Sequence, residues 1–420
     1  MIIGLKMWLG FVVIVTSLYA LRHFFFAFTR LYRLQRHSYQ DIAGTYLPSV
    51  CVMIPMYNEE VVAHAAVAAL KNIDYPLGLF SVIIIDDHSE DNTPQILDEL
   101  CRTCPQITVL HRSKQEGIEN RGKPVALNDA LKLTYAEVIV TFDADYWPSR
   151  DSVMRLVAPL MDPGVALTMG RVVPRNPDKN SLTRMLDLER AGGYQVNQQA
   201  RHTLGLLPQY GGTVGAIRRS FLISVGGWNP AYLAEDTYLT VQAFIRGLRV
   251  TYVNLEETTE EVPDTWKVRQ KQLRRWVIGH NQVACRIGPQ ILFSPFLSTW
   301  QRLDAIFLLL TYFSTMLLAT GYVAAILLLL LGEGLLASVT FALLILTTYS
   351  TLGNSAAFIE IATAAVLDGR PRAVWVIPGM IPHFFGSLYV VIISTIEWVL
   401  SEIRGKTHLE WQKTARTGGT

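Results

Sequence analysis

The chain has 420 residues, of which half are hydrophobic and 17% charged, and its formal net charge is +2. A balance this close to neutral, with no basic patch interleaved with aromatics outside the membrane-proximal residues, excludes a nucleic-acid partner. The length allows two to three domains, and cysteine usage points to no metal or redox chemistry, because Cys101 and Cys104 form a lone CxxC without further ligands.

The first element is apolar. Residues 7–28 are interrupted only by Arg22 and His23 near their end, and a bilayer core takes roughly 20 helical residues to cross. No small-residue cleavage site follows, and Arg30, Arg33 and Arg36 cluster directly behind, so the segment reads as a retained anchor rather than a signal peptide. Only Lys6 precedes it, so the Lys and Arg bias puts the N-terminus outside and the globule that follows in the cytosol. The expected organisation is an anchor over 1–29, a cytosolic α/β domain over 30–263, amphipathic interface helices over 264–302, membrane or interfacial helices over 303–400, and a cytosolic tail over 401–420.

Within the globule, the first predicted strand (50–54) is stopped by Pro55, and Asn58 is suited to cap the Ala-rich helix behind it. Tyr57 offers a flat stacking face and Glu59 an acceptor. The second strand (81–85) ends in Asp86 and Asp87, then a turn-rich run to Pro94. Half of that run needs no purpose beyond starting the next helix, and Asp87 is the candidate for holding a base and ribose with Tyr57 and Glu59. Gly122, Lys123 and Pro124 open a further helix without Walker A spacing, which leaves Lys123 a phosphate candidate outside any P-loop.

The third strand (137–142) delivers Asp143 and Asp145. Two carboxylates so spaced after a buried strand suit a hard divalent cation that also grips a diphosphate, and an Asx-type turn before Pro148 explains them equally well. Both sets lie where open α/β sheets bind ligands, at the C-terminal ends of strands. Glu235 and Asp236 precede an apolar helix, so Asp236 is either its N-cap or a general base toward a sugar hydroxyl.

From Asp264 to Trp300 bases, aromatics and short apolar runs alternate, as in amphipathic helices on a membrane surface, and Gln272, Arg275 and Trp276 lie among them. Apolar stretches near 305–331, 335–362 and 373–400 read as membrane segments. One span before the globule and three after it would leave the tail outside, although Arg404, Lys406, Lys413 and Arg416 favour the inside. Pro378 and Pro382 make the last stretch the candidate for a broken or in-plane segment. Glu360 either lines a sugar path or sits at the interface.

Asp87, then Asp143 with Asp145, then Asp236 after Glu235, then Gln272 with Arg275 and Trp276, form an ordered set. With the Pro55–Glu60 segment and the run from Gly211 to Arg219, it resembles the membrane-embedded inverting family-2 glycosyltransferases, the group of cellulose, chitin and hyaluronan synthases. The resemblance covers most of the chain. It implies a GT-A α/β domain joined to transmembrane helices, in which Pro55, Tyr57, Glu59, Asp87, Lys123, Asp143 and Arg275 bind the donor. Asp143 and Asp145 would hold Mg²⁺ or Mn²⁺, and Asp236 would deprotonate the acceptor hydroxyl. Glu235, Gln272 and Trp276 would form the acceptor side, Trp276 as the stacking floor for the terminal sugar and Gln272 beside the diphosphate. Trp411, Thr414 and Arg416 look like a gating segment.

The implied partners are a nucleotide sugar, with a UDP-sugar favoured and GDP-mannose possible, a polysaccharide or lipid acceptor, and membrane lipid. The implied setting is the plasma or inner membrane, with the catalytic domain cytosolic. The expected function is processive β-glycosyl transfer to a growing polysaccharide. The alternatives are transfer to a lipid such as ceramide or diacylglycerol, or a silent membrane binding protein.

Overall fold

Helix α1 (Ile2–Tyr32) carries the N-terminal apolar stretch and runs into the α/β domain. The computed structural model describes residues 1–37, 46–102, 104–113, 122–334, 338–344 and 357–405. Seven strands follow: β1 (Val50–Met56), β2 (Phe80–Asp86), β3 (Ile107–His111), β4 (Val138–Thr141), β5 (Val165–Pro174), β6 (Gly215–Arg218) and β7 (Arg249–Glu260). They form one sheet in the order β3-β2-β1-β4-β6-β5-β7. Strands β1 to β4 pair in parallel, whereas β6 is antiparallel to both β4 and β5.

The helices of the domain are α2 (Glu60–Lys71), α3 (Thr93–Cys101), α4 (Lys123–Leu131), α5 (Ser152–Val157), α6 (Ser181–Ala191), α7 (Gln199–Thr203), α8 (Arg219–Ser224) and α9 (Glu235–Ile245). Alternation along β1 divides the core between the two sheet faces. Cys51 and Met53 pack with Leu127 of α4 and Phe244 of α9, whereas Val50, Val52 and Ile54 pack with Val67 of α2 and Leu97 of α3. Both faces are therefore covered, which is why the central strands read as continuous apolar runs. The strand order reverses between β2 and β4 around β1, so a crevice opens at the C-terminal ends of these strands.

Two local expectations are corrected here. Pro55 does not stop β1, which continues through Met56 and pairs with β2 as far as Asp86. Met53 accepts from the Phe142 N–H toward β4; Pro55, two residues on, faces the same side, where β4 has already ended, so no ladder bond needs its missing N–H. Nor does Asn58 cap α2. It adopts a left-handed φ of 52°, and its Oδ1 accepts from the Glu90 N–H at 2.7 Å, which ties the loop after β1 to the loop after β2.

Beyond β7 the chain becomes helical: α10 (Trp266–Arg286), α11 (Pro289–Phe293), α12 (Thr299–Leu309) and α13 (Thr311–Leu330). The apolar stretch from 305 is thus split at Leu310, and its first part belongs to α12. Among the described residues three helical segments are long and apolar enough to cross a membrane: Ile2–Tyr32, Thr311–Leu330 and Pro371–Ile403. The last one changes from 3₁₀ to α-helix at Ile381, between its two prolines. Pro378 lies in a 3₁₀ lead-in and Pro382 in the first turn of a helix that then continues over Ile381–Ile403, where a missing N–H costs nothing. Of the stretch near 335–362, residues 335–337 and 345–356 lie outside the described residues, and its end belongs to the ten-residue helix Phe358–Leu367.

Buried ion pairs fasten the domain to these helices. Asp304 of α12 accepts from Arg22 of α1 at 2.7 Å and from Arg201 of α7 at 2.8 Å. Glu360, fully buried, accepts from Asn197 at 3.0 Å and lies 2.9 Å from His23 Nδ1. Arg171 of β5 donates to Asp368 at 2.6 Å. Asn197 belongs to a π-helical turn, Gly192–Gln198, inserted between α6 and α7. The extra residue per turn in such a segment re-aims side chains, a device common at functional sites.

Candidate active site

A cavity of about 920 Å³ occupies the crevice at the strand ends and extends to the membrane helices. Pro55, Tyr57, Glu59, Asp87, Lys123, Asp143, Asp145, Glu235, Asp236, Gln272, Arg275 and Trp276 all line it. Residues drawn from six separate stretches of sequence therefore share one space. Trp411, Thr414 and Arg416 lie outside the described residues.

At the end formed by β1 and β2, Asp87 is held inside the protein. Its carboxylate pairs with the Arg112 guanidinium and accepts from the Gly122 N–H at 2.9 Å. Gly122 needs a φ of 109°, a conformation other residues strongly disfavour, and it starts α4 so that Lys123 points into the cavity. Asp87 is thus coupled by geometry to the residue that carries the nearest ammonium.

Lys123 Nζ donates to Asp143 Oδ1 at 2.6 Å and to the Gly212 carbonyl at 2.9 Å. Burial works to lower its pKa, but Asp143, Glu235 and Asp236 more than offset this, so the ammonium is held above its ordinary range. Asp143 donates its own N–H to Thr213 at 3.1 Å. Asp145 is buried one residue beyond Ala144, and Arg175 donates to its carbonyl at 3.3 Å. Among the described residues no group of three or more His, Cys, Asp or Glu is gathered as a complete metal cage.

Asp236 sits in the first turn of α9, whose N-cap is Ala234, so it is not the cap itself. Its Oδ1 accepts from the Thr237 N–H at 2.6 Å. Gly212, at φ 78°, backs directly onto it: a Cβ there would meet Asp236 Cβ at 3.1 Å and Oδ2 at 3.3 Å. A side chain at 212 would displace the carboxylate. Glu235 is buried beside it and is pushed up to about 7, first by burial and then by Asp236, against the pull of Lys123 and Arg275.

Gln272, Arg275 and Trp276 fall at i, i+3 and i+4 on α10, so they share the face that meets the cavity. Arg274 points away and forms an ion pair with Glu397 of the helix Ile381–Ile403. Arg269 donates to Gln272 at 2.8 Å and to Glu189 at 2.9 Å. The Arg190 and Arg269 guanidinium groups each lie 5.1 Å from the Trp276 ring centre, within cation–π range, and they orient its indole.

The far wall was not anticipated from sequence. Tyr19, Arg22 and His23 of α1, Asn197, Arg201, Gln209 and His280, and Leu308, Thr311 and Tyr312 also line the cavity. Tyr19 donates to the Phe307 carbonyl at 2.6 Å. Arg22 and His23 were visible as the polar breaks in an otherwise apolar stretch, which was their only local signal. His280 follows Trp276 by four residues, so helical spacing alone puts it on the same face.

Residues 51–225 match Glycosyl transferase family 2. Glucomannan 4-beta-mannosyltransferase 7 of Arabidopsis thaliana is 28% identical over 259 residues, 61% of this chain and 47% of that protein. Beta-monoglucosyldiacylglycerol synthase of Nostoc sp. is 33% identical over 247 residues, 59% of this chain and 52% of that protein. The chain therefore spans about half the length of these curated relatives. A mannosyltransferase from Pyrobaculum calidifontis, solved in complex with GDP-Man and Mn²⁺, superposes with a TM-score of 0.59 at 23% identity, over 86% of this chain and 98% of its own. The α/β domain thus has the GT-A fold, and its segment from 51 to 225 is similar to family-2 glycosyltransferase domains.

Proposed function

We propose that this protein is an inverting hexosyltransferase that moves a sugar from a nucleotide donor to a hydroxyl acceptor at a membrane surface. The observation that carries this reading is the single cavity joining the strand-end carboxylates to the wall of membrane helices. In this reading Pro55, Tyr57, Glu59 and Asp87 hold the nucleoside, and Lys123 leaves Asp143 to meet the diphosphate. Asp236 removes the proton from the acceptor hydroxyl, whose oxygen attacks the anomeric carbon in line as the nucleoside diphosphate departs. Arg275 stabilises the leaving charge, Glu235 and Gln272 border the acceptor, and the terminal sugar stacks on Trp276. One displacement converts an α-linked donor into a β-linked product.

The donor set at the metal position fits Mg²⁺ or Mn²⁺. Asp143 and Asp145 are hard oxygen ligands on one loop beside Lys123, and a pair of carboxylates leaves the remaining positions to phosphate oxygens and water. Bound there, the ion would neutralise charge on the diphosphate.

The acceptor in this reading is a growing β-linked polysaccharide, made on the cytosolic face of the plasma or inner membrane. A UDP-sugar is the preferred donor, with GDP-mannose the alternative; Trp276 beneath the acceptor position and similarity to a glucomannan mannosyltransferase support polymer extension. Lipid glycosylation is the second reading, favoured by the similarity to a glucosyldiacylglycerol synthase and by the lining contributed by α1 and α13. The test is to incubate the purified full chain with UDP-glucose, UDP-N-acetylglucosamine and GDP-mannose in Mg²⁺ or Mn²⁺. Release of nucleoside diphosphate above that of Asp236→Asn is expected, with a product sensitive to polysaccharide hydrolases. No release above that variant overturns the transfer reading, and a hydrolase-resistant product soluble in organic solvent overturns the polymer reading in favour of lipid.

A further inference from the structure

His280 lies on the cavity face of α10, one turn beyond Trp276, and touches none of the steps of the transfer itself. Its hydrogen bonds run in one direction. Nδ1 lies 3.0 Å from the Trp276 carbonyl, which can only accept, so Nδ1 carries the ring proton and Nε2 is left as the acceptor. Gln209 supplies the matching donors, with its amide nitrogen 2.9 Å from His280 Nε2 and 2.9 Å from Thr237 Oγ1.

Thr237 Oγ1 also lies 3.2 Å from His280 Nε2, but the one lone pair of that nitrogen is taken by the Gln209 amide at 2.9 Å, so the Thr237 hydroxyl turns its own proton toward Asp236 Oδ1 at 3.3 Å, the oxygen that already accepts from the Thr237 N–H at 2.6 Å. Gln209 is itself fixed, because its N–H and carbonyl bond the Gln198 side chain at 3.0 Å each. Tyr312 of α13 packs its edge against the imidazole with 5.5 Å between ring centres. Burial lowers the His280 pKa, against an upward pull from Asp236, so the ring stays neutral as the chain of donors requires.

We propose that His280 is a positioning residue: through Gln209 and Thr237 it fixes the orientation of the Asp236 carboxylate, and through the Trp276 carbonyl it ties that orientation to the acceptor floor. The inference rests on the reading of Asp236 as base and Trp276 as floor. Its chemical content is that neutral, Nδ1-protonated imidazole is the required form. A cation would present a second N–H to Gln209 and Thr237, at the position where the Gln209 amide donates, and so break the chain at its first link.

The mechanism separates orientation from donor binding, because the donor end of the cavity shares no hydrogen bond with His280. His280→Ala is expected to lower kcat about 10-fold, the size of one hydrogen bond's effect on a transition state. Affinity for UDP or GDP with Mn²⁺, measured calorimetrically, stays within about twofold in the same variant. His280→Gln, whose side-chain amide can return an acceptor near the Nε2 position, recovers most of the lost kcat. Thr237→Val removes only the hydroxyl, keeps the side-chain shape, and serves if His280→Ala does not fold; it lowers kcat in the same direction.

A readout independent of turnover is the ¹⁵N imidazole signature of His280 in the full-length protein, assigned by its absence in His280→Gln. The neutral Nδ1–H tautomer at pH 7 is expected. A cationic or Nε2-protonated ring overturns the proposal, as does unchanged kcat in both His280→Ala and Thr237→Val. Equal losses of kcat and nucleotide affinity overturn it too, since they mark a merely structural role. If the wild type turns over no donor, the transfer reading fails, and the tautomer still decides whether the hydrogen-bond chain exists.

Discussion

The two walls of the cavity are built on opposite principles. The wall at the strand ends consists of short loops whose carboxylates accept directly from neighbouring loop donors, as Asp143 does from Lys123 and Asp87 from the Gly122 N–H. The membrane-side wall consists of helices whose side chains are fixed by partners far away in the chain, as in Arg22 with Asp304 and His23 with Glu360. The first wall concentrates charge where a diphosphate and cation would meet it. In the second, Arg22 and Arg201 share Asp304, and Glu360 meets His23 and Asn197, so charge is paired among neighbours while Tyr19 and Tyr312 add flat apolar surface. In the proposed reading the difference separates chemistry from placement: one side would handle leaving charge, the other would shape what approaches it.

The sharpest way to break this comparison is at the point where the walls meet. Asp236→Asn is expected to lower kcat by about 10²–10⁴-fold, the usual worth of a general base, while UDP or GDP binding in Mn²⁺ remains intact. Loss of nucleotide binding in that variant would mean that Asp236 belongs to the donor wall instead.

The next largest effect is expected at Asp304, 4% exposed and shared by two guanidinium groups. Asp304→Ala leaves both buried cations uncompensated and should cost roughly 3–5 kcal/mol of stability, read as a lowered unfolding temperature in detergent or lipid nanodiscs. A change under about 1 kcal/mol would show that the membrane-side wall is held by apolar packing, since weakly coupled pairs contribute in that range.

Trp276→Leu keeps apolar bulk but loses the stacking face between Arg190 and Arg269. An increase in acceptor KM of about 2- to 10-fold is expected, corresponding to roughly 0.5–1.5 kcal/mol of aromatic interaction, with donor KM unchanged. Equal changes in both constants would erase the division between walls.

The smallest effect concerns pH. Burial raises Glu235 and Glu256 to about 7, above their ordinary 4.5, so the folded state binds more protons than the unfolded chain across that interval. Their contribution to stability is complete below 4.5 and is lost as pH rises through 7. His202, lowered by burial to about 4 from 6.5, acts in the opposite sense and favours the fold increasingly up to 6.5. His280, lowered by burial, acts as His202 does, and His111, raised overall, acts as the two glutamates do, so the Glu235 share is isolated by comparing the wild type with Glu235→Gln. Unfolding in denaturant at pH 5.5 and 7.5 checks this: the stability that the wild type gains over Glu235→Gln should be larger at pH 5.5 than at pH 7.5.

The strand-end wall was legible because its geometry is local. A buried strand followed by a carboxylate puts that carboxylate at the sheet's ligand edge, and the spacing of Gln272, Arg275 and Trp276 puts them on one helix face. Local rules failed where a neighbouring strand or loop intervened. Pro55 stays in β1 because β4 ends beside it, and Asn58 is drawn into the loop after β2 instead of capping α2. Pro378 and Pro382 flank the change from 3₁₀ to α-helix at Ile381, at the start of the last long segment.

The chain alone thus determined the strand-end carboxylates, their order, the helix face that opposes them, and the apolar segments, since each follows from residue type and short-range periodicity. Only the tertiary structure decided that Arg22 and His23 reach Asp304 and Glu360, partners about 280 and 340 residues away, and that α1 lines the same cavity as Asp236. It also decided that His280 meets Gln209 and Thr237. Such contacts are selected by packing whole elements against one another, and no window of sequence contains both partners.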